Sequence, residues 1–390
     1  MRQQVLLRWQ ASNRYGWGIV GLNLFQHWAS DPDIQPLMGL PIEARDLQGI
    51  NPLQQLAMAA ATVSSNEFLD QLTAGKIDLR QRSVCVVDAL GNRLNPPTPR
   101  LVGIRNVARC IFEDTRSQGG RLEHYDSLLC ASQWAANLLR SISAKPVTMI
   151  HEGIDPSQFF PGPRSGALDP GRFYVFSGGK IEFRKAHDLV IMAFRQFAAR
   201  HDDAVLVAAW NSTSPEISVG FRGKLRTRLH RAENGALEIQ RWVTENGIRP
   251  HQFIELPVTP NPLMPAVLRE MDCALQVSRC EACTNLPAKE AMACGVPTIL
   301  ANNTGMRDLI DGDNCMALNS QGPVTGKWRV GKDGWGESDV EEIVDALETL
   351  YTDSVTRKRV ATRGANWILE HHRTWSDHAD ALKSHVLKLM

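Results

Sequence analysis

Short, almost wholly apolar segments recur along this chain and alternate with segments of helical periodicity. The apolar segments are 5–7, 83–87, 127–130, 146–150, 173–176, 204–208, 273–277 and 297–300. Strands that are apolar on both faces are typical of parallel sheets covered by helices on both sides. Between two of them, Val190, Ala193, Phe194 and Phe197 have the spacing of a buried helical stripe. The alternation predicts βαβ units and an α/β fold with doubly wound sheets.

The length of the chain predicts more than one domain. With 390 residues it exceeds an ordinary single domain, so we expect two of moderate size. A strand-like segment near residue 150 leads into a segment rich in Pro and Gly, 160–166, which is typical of a linker. We therefore predict Rossmann-like domains over 1–150 and 151–372. A last helix, 373–390, can stay with the second domain or cross back to the first.

Composition excludes several classes of protein. The 43 basic and 42 acidic residues nearly cancel, which argues against a nucleic-acid partner. Eight cysteines in so long a chain do not make a disulfide framework, and no apolar run is long enough for a transmembrane helix. The reducing cytoplasm is the expected location. The Cys-x-x-Cys pair at 280–283 and the Asp-x-Asp pairs at 31–33 and 311–313 are weak metal signals, so no metal is expected.

A glycine motif follows the first predicted strand. Gly16, Gly18 and Gly21 match G-x-G-x-x-G, a loop in which backbone can approach a phosphate at a helix N-terminus. A dinucleotide site also needs an acidic residue about 20 positions later. Asp31 and Asp33 come too early, which argues against NAD. We predict a flexible loop that faces the substrate, in which Gly16 and Gly18 contact the ligand.

A basic segment follows the strand 173–176. Gly179 frees the backbone where the strand ends, and Lys180, Arg184 and Lys185 come directly after it. Doubly wound sheets bind ligands at such strand ends. Three cations there can neutralise a diphosphate without a metal. The alternative is a solvated basic turn.

A second polar segment follows the strand 273–277. Pro287 suits the first turn of a helix and Gly295 its C-terminal end. The backbone N–H groups of Thr284, Asn285 and Leu286 would then be free to bind an oxyanion such as a phosphate.

Two carboxylates flank the start of that predicted helix. Glu281 precedes the helix and Glu290 lies within it. Each carboxylate can bind a pair of neighbouring hydroxyls, as on a sugar or a ribose. The alternative is that one caps the helix and the other is solvated.

The segment 221–231 has two interpretations. Phe221, Leu225 and Leu229 form an apolar stripe at helical spacing, and five cations flank it. The stripe could contact an anionic membrane surface or a phosphorylated acceptor. It could also be a packed surface helix with solvated flanks, which we favour.

Together these motifs resemble the retaining, nucleotide-sugar-dependent glycosyltransferases of family 4. The segment 290–297 reads Glu-Ala-Met-Ala-Cys-Gly-Val-Pro, as in that family, and 179–186 resembles its Gly-Arg…Lys-Gly segment. Segments 151–161 and 302–310 resemble its interdomain and downstream motifs. The chain departs from the family in three ways: Glu281 and Glu290 are one residue further apart than usual, Lys180 replaces Arg, and Ala186 replaces Gly.

The resemblance implies the GT-B fold, with two Rossmann-like domains facing a cleft and the acceptor bound by the first. It implies that Lys185 and Lys180 bind the donor diphosphate and stabilise the leaving group. It further implies that Glu281 binds the donor sugar and Glu290 the ribose. The family often has a His after a strand of its first domain; here Asp88 would take that place, and Asn106 is a second cleft candidate.

The resulting hypothesis is a retaining, hexosyltransferase-type enzyme that is independent of metals and uses no cofactor besides its donor. It would move a sugar from a nucleotide sugar to a glycan, a lipid-linked acceptor or a small molecule. Because a lipid-linked acceptor lies in a membrane, peripheral contact of the protein with the inner face of the membrane is one of the possibilities. The alternatives are a phosphorylase or epimerase on the same fold, and a non-catalytic protein that binds nucleotide sugars or glycans.

Overall fold

The computed structural model describes residues 2–92, 101–116, 122–325, 331–371 and 373–390. The chain folds into two compact units. The N-terminal unit comprises Met1–Asp155, Pro260–Pro262 and Arg373–Met390, and the C-terminal unit comprises Pro156–Thr259 and Leu263–His372. The expected boundary at residue 150 therefore lies inside the N-terminal unit, and the division follows Asp155.

Strands and helices alternate in the N-terminal unit. Its strands are β1 (Gln3–Leu7), β2 (Ile34–Met38), β3 (Cys85–Gly91), β4 (Arg105–Ile111), β5 (Ser127–Cys130) and β6 (Val147–Met149). Its first three helices are α1 (Gly16–Trp28), α2 (Pro52–Thr73) and α3 (Gln133–Ile142). The strands pair in parallel in the order β2-β1-β3-β4-β5-β6. Val5, Leu6 and Leu7 of β1 are fully buried, as expected for a strand covered on both faces.

The C-terminal unit repeats this architecture. Its strands are β7 (Phe173–Gly178), β8 (Ala204–Ala209), β9 (Phe253–Glu255), β10 (Cys273–Gln276), β11 (Thr298–Ala301), β12 (Met316–Leu318), β13 (Gln321–Gly322) and β14 (Glu337–Ser338). Its helices are α4 (His187–Ala198), α5 (Ile239–Glu245), α6 (Met264–Leu268), α7 (Leu286–Ala293), α8 (Val340–Thr352) and α9 (Ser354–Glu370). Six strands form a parallel sheet in the order β12-β11-β10-β7-β8-β9, and β13 and β14 form an antiparallel pair. The predicted α/β class with two Rossmann-like sheets is confirmed.

The order of strands reverses at β7. The next strand in sequence, β8, pairs with one edge of β7, and β10 pairs with the other. Because the strands are parallel, the loops after β7 and β10 leave the same edge of the sheet side by side. Ligands of doubly wound sheets bind at such a reversal point.

The last helix, α10 (Trp375–Leu389), belongs to the N-terminal unit. Thr374 caps it, because its Oγ1 accepts a hydrogen bond from the backbone N–H of Asp377 at 3.1 Å. The indole N–H of Trp28 in α1 donates to the carbonyl oxygen of Ala379 at 3.3 Å. Within the described part of the chain, no helix is both long and apolar enough to cross a membrane.

The predicted helix over 221–231 is wrong, because this segment is a loop. Gly220 and Gly223 have φ values of 79° and 55°, which interrupt helical geometry. Leu225 and Leu229 are nevertheless buried, so the apolar spacing reflects packing rather than helical periodicity.

A close backbone contact in the N-terminal unit leads to a test of its packing. Ile154 forms a parallel bridge with Thr374, and a Cβ atom added at Gly153 would collide with the backbone of Thr374. We expect Gly153→Ala to lower the free energy of unfolding by roughly 2–3 kcal/mol, since backbone atoms must shift to accommodate the methyl group. Urea unfolding followed by circular dichroism measures this change.

The matched control is Gly91→Ala in β3, where the added Cβ comes no closer than 3.6 Å to Trp17. That variant should unfold close to the wild-type midpoint. Equal stability of the two variants would contradict the packing argument.

Candidate functional site

Two loops meet at the reversal point of the C-terminal sheet. The lysine loop, residues 179–186, follows β7, and the glutamate loop, residues 278–285, follows β10. They are joined directly, because the backbone N–H of Arg279 donates to the carbonyl oxygen of Arg184 at 2.6 Å. The structure therefore brings together the two polar segments that were singled out from the sequence.

The backbone of the lysine loop is left-handed at two positions. Gly179 has φ 111°, where an L side chain would be strained. Ala186 has φ 57° and is fully buried; a non-glycine residue in this region costs roughly 1–2 kcal/mol. The chain thus keeps a left-handed turn where the family it resembles has glycine.

Glu281 is the centre of the charged network. Its Oε1 accepts hydrogen bonds from Lys185 Nζ at 2.6 Å, Ser278 Oγ at 2.7 Å and Asn285 Nδ2 at 3.0 Å. Its Oε2 accepts one from Arg184 Nη1 at 3.0 Å. Burial by itself would raise the pKa of Glu281, but the neighbouring cations and hydrogen bonds hold that pKa below its usual value. The carboxylate is therefore charged at neutral pH.

Lys180 is paired with a carboxylate that the sequence did not single out. Its Nζ lies 2.7 Å from Glu182 Oε1, and Arg184 Nε lies 2.9 Å from Glu182 Oε2. Burial opposes ionisation of Glu182, but Arg184 and Lys180 outweigh it and lower the pKa of this carboxyl. Two carboxylates thus partly balance the three cations. Lys180, with 37 % of its side chain exposed, is the most accessible of the three.

Helix α7 begins and ends where its sequence predicts. Asn285 is the N-cap, and its Oδ1 accepts from the backbone N–H of Ala288 at 3.1 Å. Pro287 lies in the first turn, and Gly295 follows the helix with φ 74°. The helix starts at Leu286, so Glu281 lies in the loop before it and Glu290 within it.

Thr284 differs from its neighbours in the glutamate loop. It is buried, and its Oγ1 has no hydrogen-bond partner within the described residues. An unpaired buried hydroxyl is energetically costly, and such groups often mark a binding site. Glu290, in the second turn of α7, is also buried. The predicted contacts of Thr284, Leu286 and Glu290 with donor atoms remain predictions.

A buried arginine ties the two loops together, and the sequence interpretation had given it no role. The guanidinium of Arg279 donates to both Asp188 oxygens at 2.9 and 2.8 Å and to Glu337 Oε2 at 2.6 Å. It also donates to the carbonyl oxygen of Phe183 at 2.8 Å. Burial opposes the charge of Arg279, but Asp188 and Glu337 outweigh it and raise its pKa. In the sequence, the signal for it is an arginine three residues after the buried strand β10.

His187 is a second residue that the sequence interpretation passed over. It is the first residue of α4, and its Nε2 lies 2.9 Å from the carbonyl oxygen of Gly179. Burial lowers the pKa of this imidazole to about 4, so it is neutral at physiological pH. The neutral ring donates to Gly179 and supports the left-handed turn of the lysine loop.

The glycine motif of the N-terminal unit lies in a helix, so the predicted flexible loop is wrong. Helix α1 starts at Gly16, and Gly18 is in its first turn. A Cβ atom at Gly18 would be 2.6 Å from Cβ of Ser12, and one at Gly21 would be 2.6 Å from Nε1 of Trp9. These glycines allow the preceding loop to pack on the helix; ligand contact by Gly16 and Gly18 stays a prediction.

Asp88 does not end a strand, as had been expected, because β3 continues to Gly91. Its carboxylate is buried and accepts hydrogen bonds from Arg8 Nε at 2.8 Å and from the hydroxyl of Tyr125 at 2.6 Å. Asp88 therefore stabilises the sheet through Arg8 and Tyr125, and its role in the cleft stays a prediction.

Asn106 lies at the wrong end of its strand for the predicted role. It is the second residue of β4, whereas ligands bind beyond the carboxyl ends of such strands. Its side chain accepts from the backbone N–H of Gly103 at 2.9 Å and donates to the carbonyl oxygen of Gly103 at 3.2 Å. Asn106 thus stabilises the turn before β4.

The weak metal signals have structural explanations. Asp31 and Asp33 both pair with Lys383, at 2.7 and 2.8 Å, and Asp313 pairs with Arg359 and Arg363. Among the described residues, no group of three or more His, Cys, Asp or Glu side chains could hold a metal ion. None of the eight cysteines, Cys280 and Cys283 included, is in a disulfide bond.

The network around Glu281 predicts how acid affects stability. A carboxyl whose pKa is lowered by folding stabilises the protein above its ordinary pKa of 4.5, and this contribution is lost as the pH falls through the lower folded value. In Lys185→Ala the carboxylate loses one cation, so its pKa rises toward the ordinary value and less stability is lost as the pH falls below 4.5. We expect a cost of about 1–3 kcal/mol at neutral pH.

Thermal unfolding between acidic and neutral pH measures this difference. Lys358→Ala, which changes an exposed lysine of α9, is the control, because Lys180 itself lowers the pKa of a second carboxyl, that of Glu182. Identical pH profiles of the two variants would show that Lys185 does not control the ionisation of Glu281.

Comparison with known proteins agrees with the resemblance in the sequence. Residues 163–319 match the family described as glycosyl transferases group 1. No curated protein sequence matches the chain significantly.

Among solved structures, a sucrose-phosphate synthase from Thermosynechococcus elongatus is 15% identical, with TM-score 0.66, and the alignment covers 100% of this chain and 99% of that one. The Anabaena protein HepE, in complex with UDP-glucose, is 14% identical, with TM-score 0.61 and coverage of 99% and 100%. The trehalose-6-phosphate synthase OtsA is 12% identical, with TM-score 0.65 and coverage of 100% for both chains. These similarities show that the chain has the GT-B fold.

Proposed function

We propose that this chain, a glycosyltransferase by its group 1 segment and its GT-B fold, is a retaining hexosyltransferase that uses a nucleotide-sugar donor. The observation that carries the proposal is the lysine loop at the reversal point of the C-terminal sheet. It is hydrogen-bonded to the glutamate loop, in which the buried hydroxyl of Thr284 has no partner among the described residues. The Anabaena structure of the same fold, in complex with UDP-glucose, supports a nucleotide-sugar donor. The acceptor would be a glycan, a lipid-linked sugar or a small molecule.

The cations of the lysine loop suit a diphosphate. An ammonium group carries three N–H donors, and Lys185 uses one of them on Glu281 while Lys180 uses one on Glu182. Both lysines therefore retain donors for phosphate oxygens. Fixed positive charge beside the bond that breaks stabilises the departing nucleotide diphosphate. Glu281 and Glu182 hold the two ammonium groups in place before the donor arrives.

The hydrogen bonds of Glu281 indicate which of its two carboxylate oxygens is available to the donor sugar. Its Oε1 already accepts three donors, whereas its Oε2 accepts one, from Arg184. A carboxylate oxygen has about two good acceptor positions. We infer that a donor-sugar hydroxyl binds Oε2, and that Glu290 binds the ribose.

Retention of anomeric configuration follows from front-face attack by the acceptor hydroxyl. The departing phosphate would help to take the hydroxyl proton, so no pair of carboxylates of the glycosidase kind is needed. In this mechanism Lys185 and Lys180 stabilise the leaving group while it acts as the base. Nuclear magnetic resonance of the product gives its anomeric configuration, and an inverted product would exclude this pathway.

Loss of Lys185 should abolish most turnover. We expect Lys185→Ala to reduce donor hydrolysis and sugar transfer by roughly 100-fold or more, since a fixed charge at the leaving group is removed. A panel of nucleotide sugars, tested first for thermal stabilisation, selects the donor for the assay. Lys358→Ala, which changes an exposed lysine of α9, is the matched control and should keep full activity.

The binding and turnover measurements also distinguish a glycosyltransferase from a non-catalytic binding protein. Saturable nucleotide binding without turnover in the wild type would favour the non-catalytic binding protein. Stabilisation by no member of the panel would contradict a donor site in the C-terminal unit.

Catalysis is expected to be independent of metal ions. Three cations of the lysine loop take the charge-neutralising role that a divalent ion has in other transferases. Activity should survive treatment with EDTA and should not rise on addition of Mg²⁺ or Mn²⁺. A loss of more than half of the turnover, restored by one of these ions, would show that the cations of the loop are not sufficient.

A further inference from the structure

The loop that replaces the predicted helix carries a concentration of exposed charge. We call residues 215–231 the basic loop; it lies between β8 and α5. Its exposed cationic residues are Arg222, Lys224, Arg226, Arg228 and Arg231. The segment contains one acidic residue, Glu216, and the next acidic residue along the chain is Glu233. The loop is therefore strongly positive, although the net charge of the chain is close to zero.

Four of these five cations have no ion-pair partner among the described residues. Lys224 pairs with Glu337, and Arg222 donates to the carbonyl oxygen of Leu225 at 2.9 Å. The side chains of Arg226, Arg228 and Arg231 make no ion pair within the part of the chain that the structure describes. Clustered like charges repel one another, so this arrangement costs stability unless an anionic partner offsets it.

Exposed apolar side chains lie beside the cations. Ile217 is 52% exposed and Val219 is 43% exposed. The backbone N–H of Gly220 donates to the carbonyl oxygen of Leu229, and that of Leu229 donates to the carbonyl oxygen of Phe221, both at 2.8 Å. These bonds hold the Ile217–Phe221 segment against the segment that contains Arg228, so exposed apolar and basic residues lie in adjacent segments of the loop.

The basic loop is anchored from beneath. Leu225 and Leu229 are buried in the core of the unit, and Asn246 Oδ1 accepts from the backbone N–H of Arg226 at 3.0 Å. The backbone N–H of Lys224 donates to Asp188 Oδ2 at 3.0 Å, and Ser218 Oγ donates to the carbonyl oxygen of Ile181 at 2.9 Å. The surface is therefore formed before any partner arrives, and it adjoins the lysine loop.

We propose that the basic loop docks on the surface of an anionic phospholipid bilayer. Its arginines would face lipid phosphates, and Ile217 and Val219 would enter the boundary between headgroups and acyl chains. A soluble polyanion would bind the arginines but leave both apolar side chains in water. Only a surface that is anionic outside and apolar beneath matches both features.

This docking also narrows the acceptor, an extension that rests on the proposed function. The basic loop is hydrogen-bonded to Ile181 and Asp188, so a bilayer that touches it lies near the lysine loop. A lipid-linked acceptor in that bilayer would be at high local concentration. Among the three acceptor classes, docking therefore favours the lipid-linked one.

Sedimentation with vesicles tests the proposal on the full-length protein. We expect binding to vesicles of phosphatidylcholine mixed with phosphatidylglycerol, and none to phosphatidylcholine alone. The variant R226Q/R228Q/R231Q should bind the anionic vesicles on the order of 100-fold more weakly, and I217S/V219S roughly 10-fold more weakly. The control R164Q/R200Q/R359Q removes the same charge from exposed ion pairs elsewhere in the unit and should bind like the wild type.

Three outcomes would overturn the proposal. The first is no binding to anionic vesicles, and the second is equal weakening by the two arginine variants. The third is binding to soluble polyphosphate as tight as to vesicles, with I217S/V219S unaffected, which would identify a soluble polyanion as the partner. Circular dichroism and thermal unfolding check that each variant folds. The vesicle assay contains no nucleotide sugar, so its result does not depend on sugar transfer. Failure of sugar transfer with intact vesicle binding would therefore contradict the proposed function alone.

Discussion

The candidate site depends on the buried guanidinium of Arg279. It lies at the start of the glutamate loop and binds Asp188, at the start of α4, and the carbonyl oxygen of Phe183 in the lysine loop. A fully buried arginine is stable only when its donors are paired, so the protein must hold both loops close to it. The position of Lys185 beside Glu281 follows from this constraint. Glu337, which is 58 residues further along the chain, extends the same cluster to β14.

The cations of the lysine loop are partly neutralised by two carboxylates. Glu281 and Glu182 neutralise part of the lysine loop while its ligand is absent, so the loop need not keep three uncompensated cations together. A phosphate group would compete with the carboxylates for the same donors, and the ammonium groups need not move far to accept it. The neutral imidazole of His187 adds no charge to this balance; it donates a hydrogen bond to Gly179 and packs against the ring of Trp210.

Features that depend on local sequence were predictable, and features that depend on distant partners were not. The buried strands and the ends of α7 follow from apolar runs, an Asn cap, Pro287 and Gly295, all of which act within a few residues. The segment around Leu225 has helical spacing, but two left-handed glycines and the contact with Asp188 decide its conformation. Asp88 follows an apolar run, which is the pattern of a strand end. Its hydrogen-bond partner Tyr125 is 37 residues away, so no local signal indicates that the strand continues. The pairing of Arg279 with Glu337 has no local signal at all.

The membership of α10 in the N-terminal unit has a consequence for how this chain is made. Trp28, Asp31 and Ser127 of that unit all use partners in α10, namely Ala379, Lys383 and His385. During synthesis these groups must wait while the whole C-terminal unit leaves the ribosome. The C-terminal unit, apart from the short crossing at Pro260–Pro262, is by contrast formed from chain that is made without interruption. The unit that is translated first is therefore the one that completes its fold last, and until then it exposes the surface that α10 covers.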